Sequence, residues 1–65
     1  MYKVSLKTVD GLKWLGYHAT MGYETFVKKS DATVFDEPMT IDSPQIGDWI
    51  NTKNVLSVKS VELTK

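Results

Sequence analysis

The sequence predicts a small α+β domain, an antiparallel sheet with one helix (about Ser43–Lys53) packed on one face. Three observations carry this. Tyr2, Val4 and Leu6 alternate with Lys3, Ser5 and Lys7, the period of a half-buried strand. Asp10-Gly11 then marks a tight reversal, and Leu12 to Ala19 runs back. Near Ser43-Pro44 the period changes from two to that of a helix, with Ile46, Trp49 and Ile50 at i, i+3, i+4.

The first hairpin comes with a register. A two-residue loop at Asp10-Gly11 sets Leu6 opposite Leu15, Val4 opposite Tyr17 and Tyr2 opposite Ala19, so these apolar side chains share one face. The other face then carries Lys7 opposite Trp14, Lys3 opposite His18 and Val9 opposite Leu12. Gly16 falls mid-strand, opposite Ser5, where it signals a bulge or a close backbone approach.

Thr20-Met21-Gly22 reads as a turn, and Tyr23 to Val27 as a third strand by its aromatic and β-branched content. Lys28 to Asp31 is a polar reversal, and Ala32 to Phe35 a short fourth strand. A connection containing Pro38 runs from Asp36 to Asp42. Ser43 then suits an N-cap, and Pro44 the first helical position, where its missing N–H costs nothing. Lys53 continues the helical row and Asn54 suits its end. Gly47 opposes the helix, since an interior glycine costs about 1 kcal/mol relative to alanine. The rival reading turns the chain at Gly47-Asp48 and makes Trp49-Ile50 a strand, giving an all-β, SH3-like barrel. Val55 to Leu63 is a closing strand whose alternation changes phase near Lys59-Ser60, as at a bulge. In the α+β reading, Ile46, Trp49 and Ile50 cover the face of Tyr2, Val4, Leu6, Leu15 and Tyr17.

The order β-β-β-β-α-β makes the 65 residues a single domain. A domain of this size buries about 60% of its unfolded surface, which leaves room for association to add stability. Self-association through the terminal strand or another exposed edge, as a homodimer, is one expectation.

The stretch Ala32-Thr33-Val34-Phe35-Asp36, with Ser43-Pro44, Trp49-Ile50 and the valine-rich closing strand, resembles small bacteriophage and prophage proteins of unknown function. The resemblance covers about the C-terminal half. It implies a phage origin and a sheet closed by a capped helix and a last strand. It brings no functional residues with it. The connection Asp36–Asp42 and Gly47 depart from that pattern.

Composition excludes more than it assigns. With no cysteine there are no disulfides, thiolate metal sites or cysteine nucleophiles. No apolar run approaches the ~20 residues that span a bilayer, and the N-terminus lacks the pattern of a signal peptide, so the expectation is cytoplasmic, within a bacterial host if phage-derived, with no membrane partner. Eight acidic and eight basic residues balance, all the latter lysine, which disfavours a protein held mainly by phosphates. His18 is the only imidazole, with no acid near it in sequence, so it reads as a surface histidine rather than a general base. Asp36, Glu37, Asp42 and Asp48 match no calcium-loop spacing and read as solvated acids. Gly11, Gly16 and Gly22 are too far apart for a phosphate loop. No enzyme activity, cofactor or metal is expected.

The remaining candidate surface is the second face of the first hairpin: Trp14 with Lys7, Lys3, Leu12 and His18. An exposed tryptophan ringed by lysines suits a protein partner, since tryptophan is enriched in binding hot spots. A single-stranded nucleic acid stacked on the ring is the alternative, disfavoured by the neutral net charge. The competing structural role has Trp14 covering lysine stems or packing beneath the Asp36–Asp42 connection.

Overall fold

A computed structural model describes residues 1–47 and 55–63 of the chain. Four strands form one antiparallel sheet: β1 (Tyr2–Thr8), β2 (Gly11–His18), β3 (Gly22–Phe26) and β4 (Val55–Glu62), in the spatial order β3-β2-β1-β4. Of the expected helix, Pro44–Ile46 forms a 3-10 turn and Gly47 has helical backbone, while residues 48–53, with Trp49 and Ile50, lie outside the described residues. What is described is mostly β, so the all-β expectation fits it better than the α+β one. No helix among the described residues is long and apolar enough to cross a membrane.

The hairpin forms, with its faces sorted as expected and its register moved by two residues. Leu6 pairs with Lys13 rather than Leu15, Lys7 with Leu12 rather than Trp14, and Ser5 takes the place opposite Trp14. The ladder closes at Thr8 and Gly11, so Val9-Asp10 forms the loop, and Val9 does not pair with Leu12. Two local features fix this. The Thr8 hydroxyl donates to the Gly11 carbonyl at 2.8 Å and accepts the Asp10 N–H at 3.1 Å, holding the reversal one residue early. Gly11 takes φ +114°, a conformation that only glycine adopts readily, as the first residue of the returning strand. A shift of two preserves every face, because side chains alternate with period two.

Beyond Ser5 and Trp14 the two strands part, and the chain that follows β3 enters between them. Phe35 exchanges both backbone hydrogen bonds with Tyr2, at 2.8 Å each, while the Thr33 N–H donates to the Leu15 carbonyl and the Tyr17 N–H to the Thr33 hydroxyl. The expected strand Ala32–Phe35 is therefore a single bridge at Phe35 set into a split in the sheet. This removes the expected pairs Tyr2–Ala19, Val4–Tyr17 and Lys3–His18. Tyr2 lies instead between Phe35 and Glu62, Val4 opposite Ser60, Lys3 opposite Val61, and His18 opposite Gly22.

Gly16 marks a close approach rather than a bulge. The β2–β3 register runs unbroken through it, with Glu24 opposite, and the Phe26 ring lies where a Cβ would stand. The bulge in β4 is at its start: Lys7 pairs with Ser57 and Thr8 with Val55, which leaves Leu56 extra. At Lys59-Ser60 the register is regular. The change of phase there has another cause, because Ser60 faces inward opposite Val4 and its hydroxyl holds Met39, accepting the Met39 N–H and donating to the Met39 carbonyl at 2.7 Å each.

The core consists of Val4, Leu6 and Leu15 on the sheet, covered by Met39, Ile46 and Val55. Met39 arrives on the connection that Ser60 pins, and Ile46 on the 3-10 turn. Ser43 precedes that turn without capping it: its hydroxyl accepts the Thr40 N–H at 2.9 Å, so it braces the preceding loop. Tyr17, expected under the cover, is exposed.

Two outcomes test this packing. Ser60→Ala strands the amide and carbonyl of a buried residue and should lower stability by about 1–3 kcal/mol in urea unfolding. Gly16→Ala forces Phe26 off the sheet and should cost about 1–3 kcal/mol. In a Phe26→Ala background most of that cost should vanish, which a double-mutant cycle would show.

Candidate functional site

With the aliphatic face covered, the lysine-bearing face of the sheet is the candidate site. Its composition follows from the ladder. β1 contributes Lys3, Ser5 and Lys7, and β4, paired with β1, contributes Lys59 opposite Ser5 and Val61 opposite Lys3. β2 contributes Leu12, Trp14, Gly16 and His18; β3 adds Glu24 and Phe26. Among the described strand residues, Glu24 is the only carboxylate on this face.

The residues named from sequence do not all meet. Lys7 and Leu12 are direct neighbours, both exposed, and Trp14 lies further along β2 on the same face, half-buried. Lys3 is across the split from β2, where its ammonium donates to the Lys29 carbonyl at 2.8 Å. His18 stands exposed at the far end of β2, its Nδ1 2.9 Å from the Thr20 hydroxyl and accepting the Thr20 N–H at 3.4 Å. It belongs to the turn into β3 rather than to the Trp14 cluster.

Trp14 does carry a cover, though not the Asp36–Asp42 connection. The 3-10 turn Lys29–Asp31 packs on β2 and sets the Lys29 ammonium 5.5 Å from the centroid of the Trp14 ring. At that distance a cation is attracted by the ring quadrupole. Lys3 ties the same turn down from the other side. In the sequence Lys28–Asp31 reads only as a polar reversal, and nothing there signals that the reversal folds back over β2. Lys59 was equally hidden, being more than fifty residues from Lys3 in the chain.

Charge is unevenly placed. Lys3, Lys7 and Lys59 share the face of Trp14 with Glu24, and Lys29 lies over its ring with Asp31 on the same turn, while Asp36, Glu37 and Asp42 sit exposed on the connection that covers the opposite face. A chain with zero formal net charge thus presents a face with more lysines than carboxylates among the described residues. Chemically, such a face can bind an anionic surface.

A second aromatic group lies on the other face, at the open end of the sheet. Tyr17 meets Tyr23 edge-on with ring centroids 4.9 Å apart, and Tyr23 stacks near Phe35 at 6.4 Å. Burial, and then the neighbouring Tyr17, raise the Tyr23 phenol above its ordinary pKa of 10.0. The group is neutral at physiological pH, which makes the cluster a packing feature that braces the Phe35 bridge.

Because the folded value is raised, the stability tied to neutral Tyr23 is whole below pH 10.0 and is lost as pH climbs through the folded value. Urea unfolding at alkaline pH should therefore show a smaller loss for Tyr23→Phe than for the wild type. Comparison of the chain with protein-family models, curated proteins and solved structures finds no match.

Proposed function

We propose that this chain is a non-enzymatic protein–protein interaction module whose contact surface is the Trp14 face and whose partner presents an acidic surface. One observation carries the reading: the strand ladder places Lys3, Lys7 and Lys59 on the side of Trp14, with Glu24 as the sole strand carboxylate there among the described residues. Opposed potentials steer encounter and select partners, while a half-buried tryptophan supplies the apolar anchor. Leu12, exposed beside Lys7, extends the apolar part of the contact. His18 lies at its margin. The likeness of Ala32–Asp36 and the segments after it to phage and prophage proteins supports an accessory or host-modulating role in the cytoplasm of a bacterial host.

The second reading is a single-stranded nucleic acid on the same face, favoured by the association of lysines with Trp14 and Phe26. Base stacking needs an open ring face. Lys29 already lies over Trp14, and Phe26 lies against Gly16, so a nucleic acid would have to displace what an acidic protein surface could meet in place. This argument ranks the protein partner first.

The experiment is a pull-down from bacterial lysate at low and high salt. The wild type should retain a partner that Lys3→Glu/Lys7→Glu/Lys59→Glu loses, and Trp14→Ala should weaken its capture by about thirtyfold, as for a hot-spot residue. Equal recovery by all three proteins removes this face from consideration. Salt-dependent binding of a labelled oligonucleotide, with no protein retained, favours the second reading.

A further inference from the structure

The core-side face of the sheet is covered over Val4, Leu6 and Leu15 and opens to solvent where Tyr17 stands, 50% exposed. The ladder and the Phe35 bridge arrange one row across that open end. Tyr23 pairs with Tyr17, Phe35 with Tyr2, and Tyr2 with Glu62; the contact of Tyr23 with Phe35 joins the two halves. Directly paired residues of an antiparallel sheet share a face, so the rings and the carboxylate stand on one side. Glu62 is exposed, and Asp36 and Glu37, exposed as well, follow Phe35 in the chain. Among the described strand residues of this face the only lysine is Lys13, which pairs with Leu6 toward the opposite end.

We infer that this row docks a basic segment of a partner protein, which lays a lysine or arginine side chain across the tyrosine rings toward Glu62 and Asp36. Ring faces attract a cation through their quadrupole, and the chain uses the same attraction internally where Lys29 lies 5.5 Å from the Trp14 ring. The exposed carboxylates supply the charge complement that a basic partner needs and repel an acidic one. Shape selects the same ligand. The rings pack on one another, and no cavity opens among the described residues, so a compact apolar side chain has no hole to fill. A lysine or arginine instead lies along a flat apolar surface by its aliphatic stem and keeps its charged head at the wet rim.

The rings thus brace the Phe35 bridge by their mutual contacts and bind by the surface they leave outward. The inference goes beyond the proposed function and stands without it, because Tyr2, Tyr17, Tyr23 and Glu62 lie on the side of the sheet away from Trp14.

An NMR titration of the nitrogen-labelled chain with capped tetralysine reads both surfaces at once. The amide signals of Tyr2, Tyr17 and Glu62 should move while the Trp14 indole signal stays in place, and added salt should weaken the response. Capped tetraglutamate and capped tetra-acetyllysine should leave the row unmoved. Glu62→Gln/Asp36→Asn should weaken tetralysine binding by about tenfold and Tyr17→Ala by about fivefold. Both carboxylates are exposed, so their variant keeps the test decisive if Tyr17→Ala fails to fold. A row that does not respond to millimolar tetralysine overturns the inference. So does an equal response to the acetylated peptide, or binding unchanged in the carboxylate variant. Trp14→Ala should bind tetralysine as the wild type does, so failure of this inference and failure of the Trp14 face are told apart.

Discussion

The constraint on which the rest depends is the need to cover Val4, Leu6 and Leu15. Each is fully buried, and burying a side chain of this kind contributes roughly 1.5–3 kcal/mol. That is a large fraction of the net stability of a small domain, about 5–15 kcal/mol. Among the described residues the cover is Ile46 on a 3-10 turn, Met39 on a loop and Val55 at the start of β4. A loop residue is a weak lid unless something anchors its backbone. Ser60 does so from inside the sheet, occupying both the amide and the carbonyl of Met39. A serine at an inward position therefore takes the place of a ladder partner that the connection does not have.

The β1–β2 ladder stops at Ser5 and Trp14, and the two strands part beyond that pair. The separated strands expose N–H and C=O groups that must find other partners. Thr33 and Phe35 supply them, meeting Leu15 and Tyr17 on one side and Tyr2 on the other. Reaching that slot brings the chain over the lysine face first, which is why Lys29 comes to lie on Trp14. The filling of the core and the partial covering of the candidate site are thus joined by a few residues of one connection.

How much of this is legible in the sequence depends on whether a feature is a matter of parity or of distance. Which face Val4, Leu6, Leu15 and Trp14 occupy is a parity statement, and alternation settles it. The register is not, because a shift of two leaves every parity unchanged. Only the turn chemistry of Thr8 and Gly11 could have set it, and Asp10-Gly11 suits a closure on either side of it. The break in alternation at Ser60 is visible, but an inward serine that hydrogen-bonds a loop and a bulge leave the same trace in a pattern. The bulge at Leu56 leaves none, since an extra apolar residue beside Val55 reads as strand content. At Gly16 the sequence narrows the answer to a bulge or a close approach, and it takes Phe26 to decide between them. Lys29 and Lys59 were beyond reach for a plainer reason: each joins the Trp14 face through tertiary pairing alone.

Net charge is a weak guide for the same reason. Eight positive and eight negative groups cancel over the chain, yet a partner at the sheet surface does not sample the chain average. At physiological ionic strength the potential of an exposed charge decays over about 8 Å, so charges on the far side of the domain are largely screened. The principal extents of the fold are 33, 25 and 20 Å, each well beyond that length. The carboxylates of Asp36, Glu37 and Asp42, held with the Met39 connection on the core-facing side, therefore do little to neutralise Lys3, Lys7 and Lys59 as a partner meets them. A neutral composition argues against binding through charge only when opposite charges are interleaved on the same surface. Here the ladder places three lysines with one glutamate on the Trp14 face, and Asp31 lies beside Lys29 above it, so that surface holds more positive than negative groups although the chain balances.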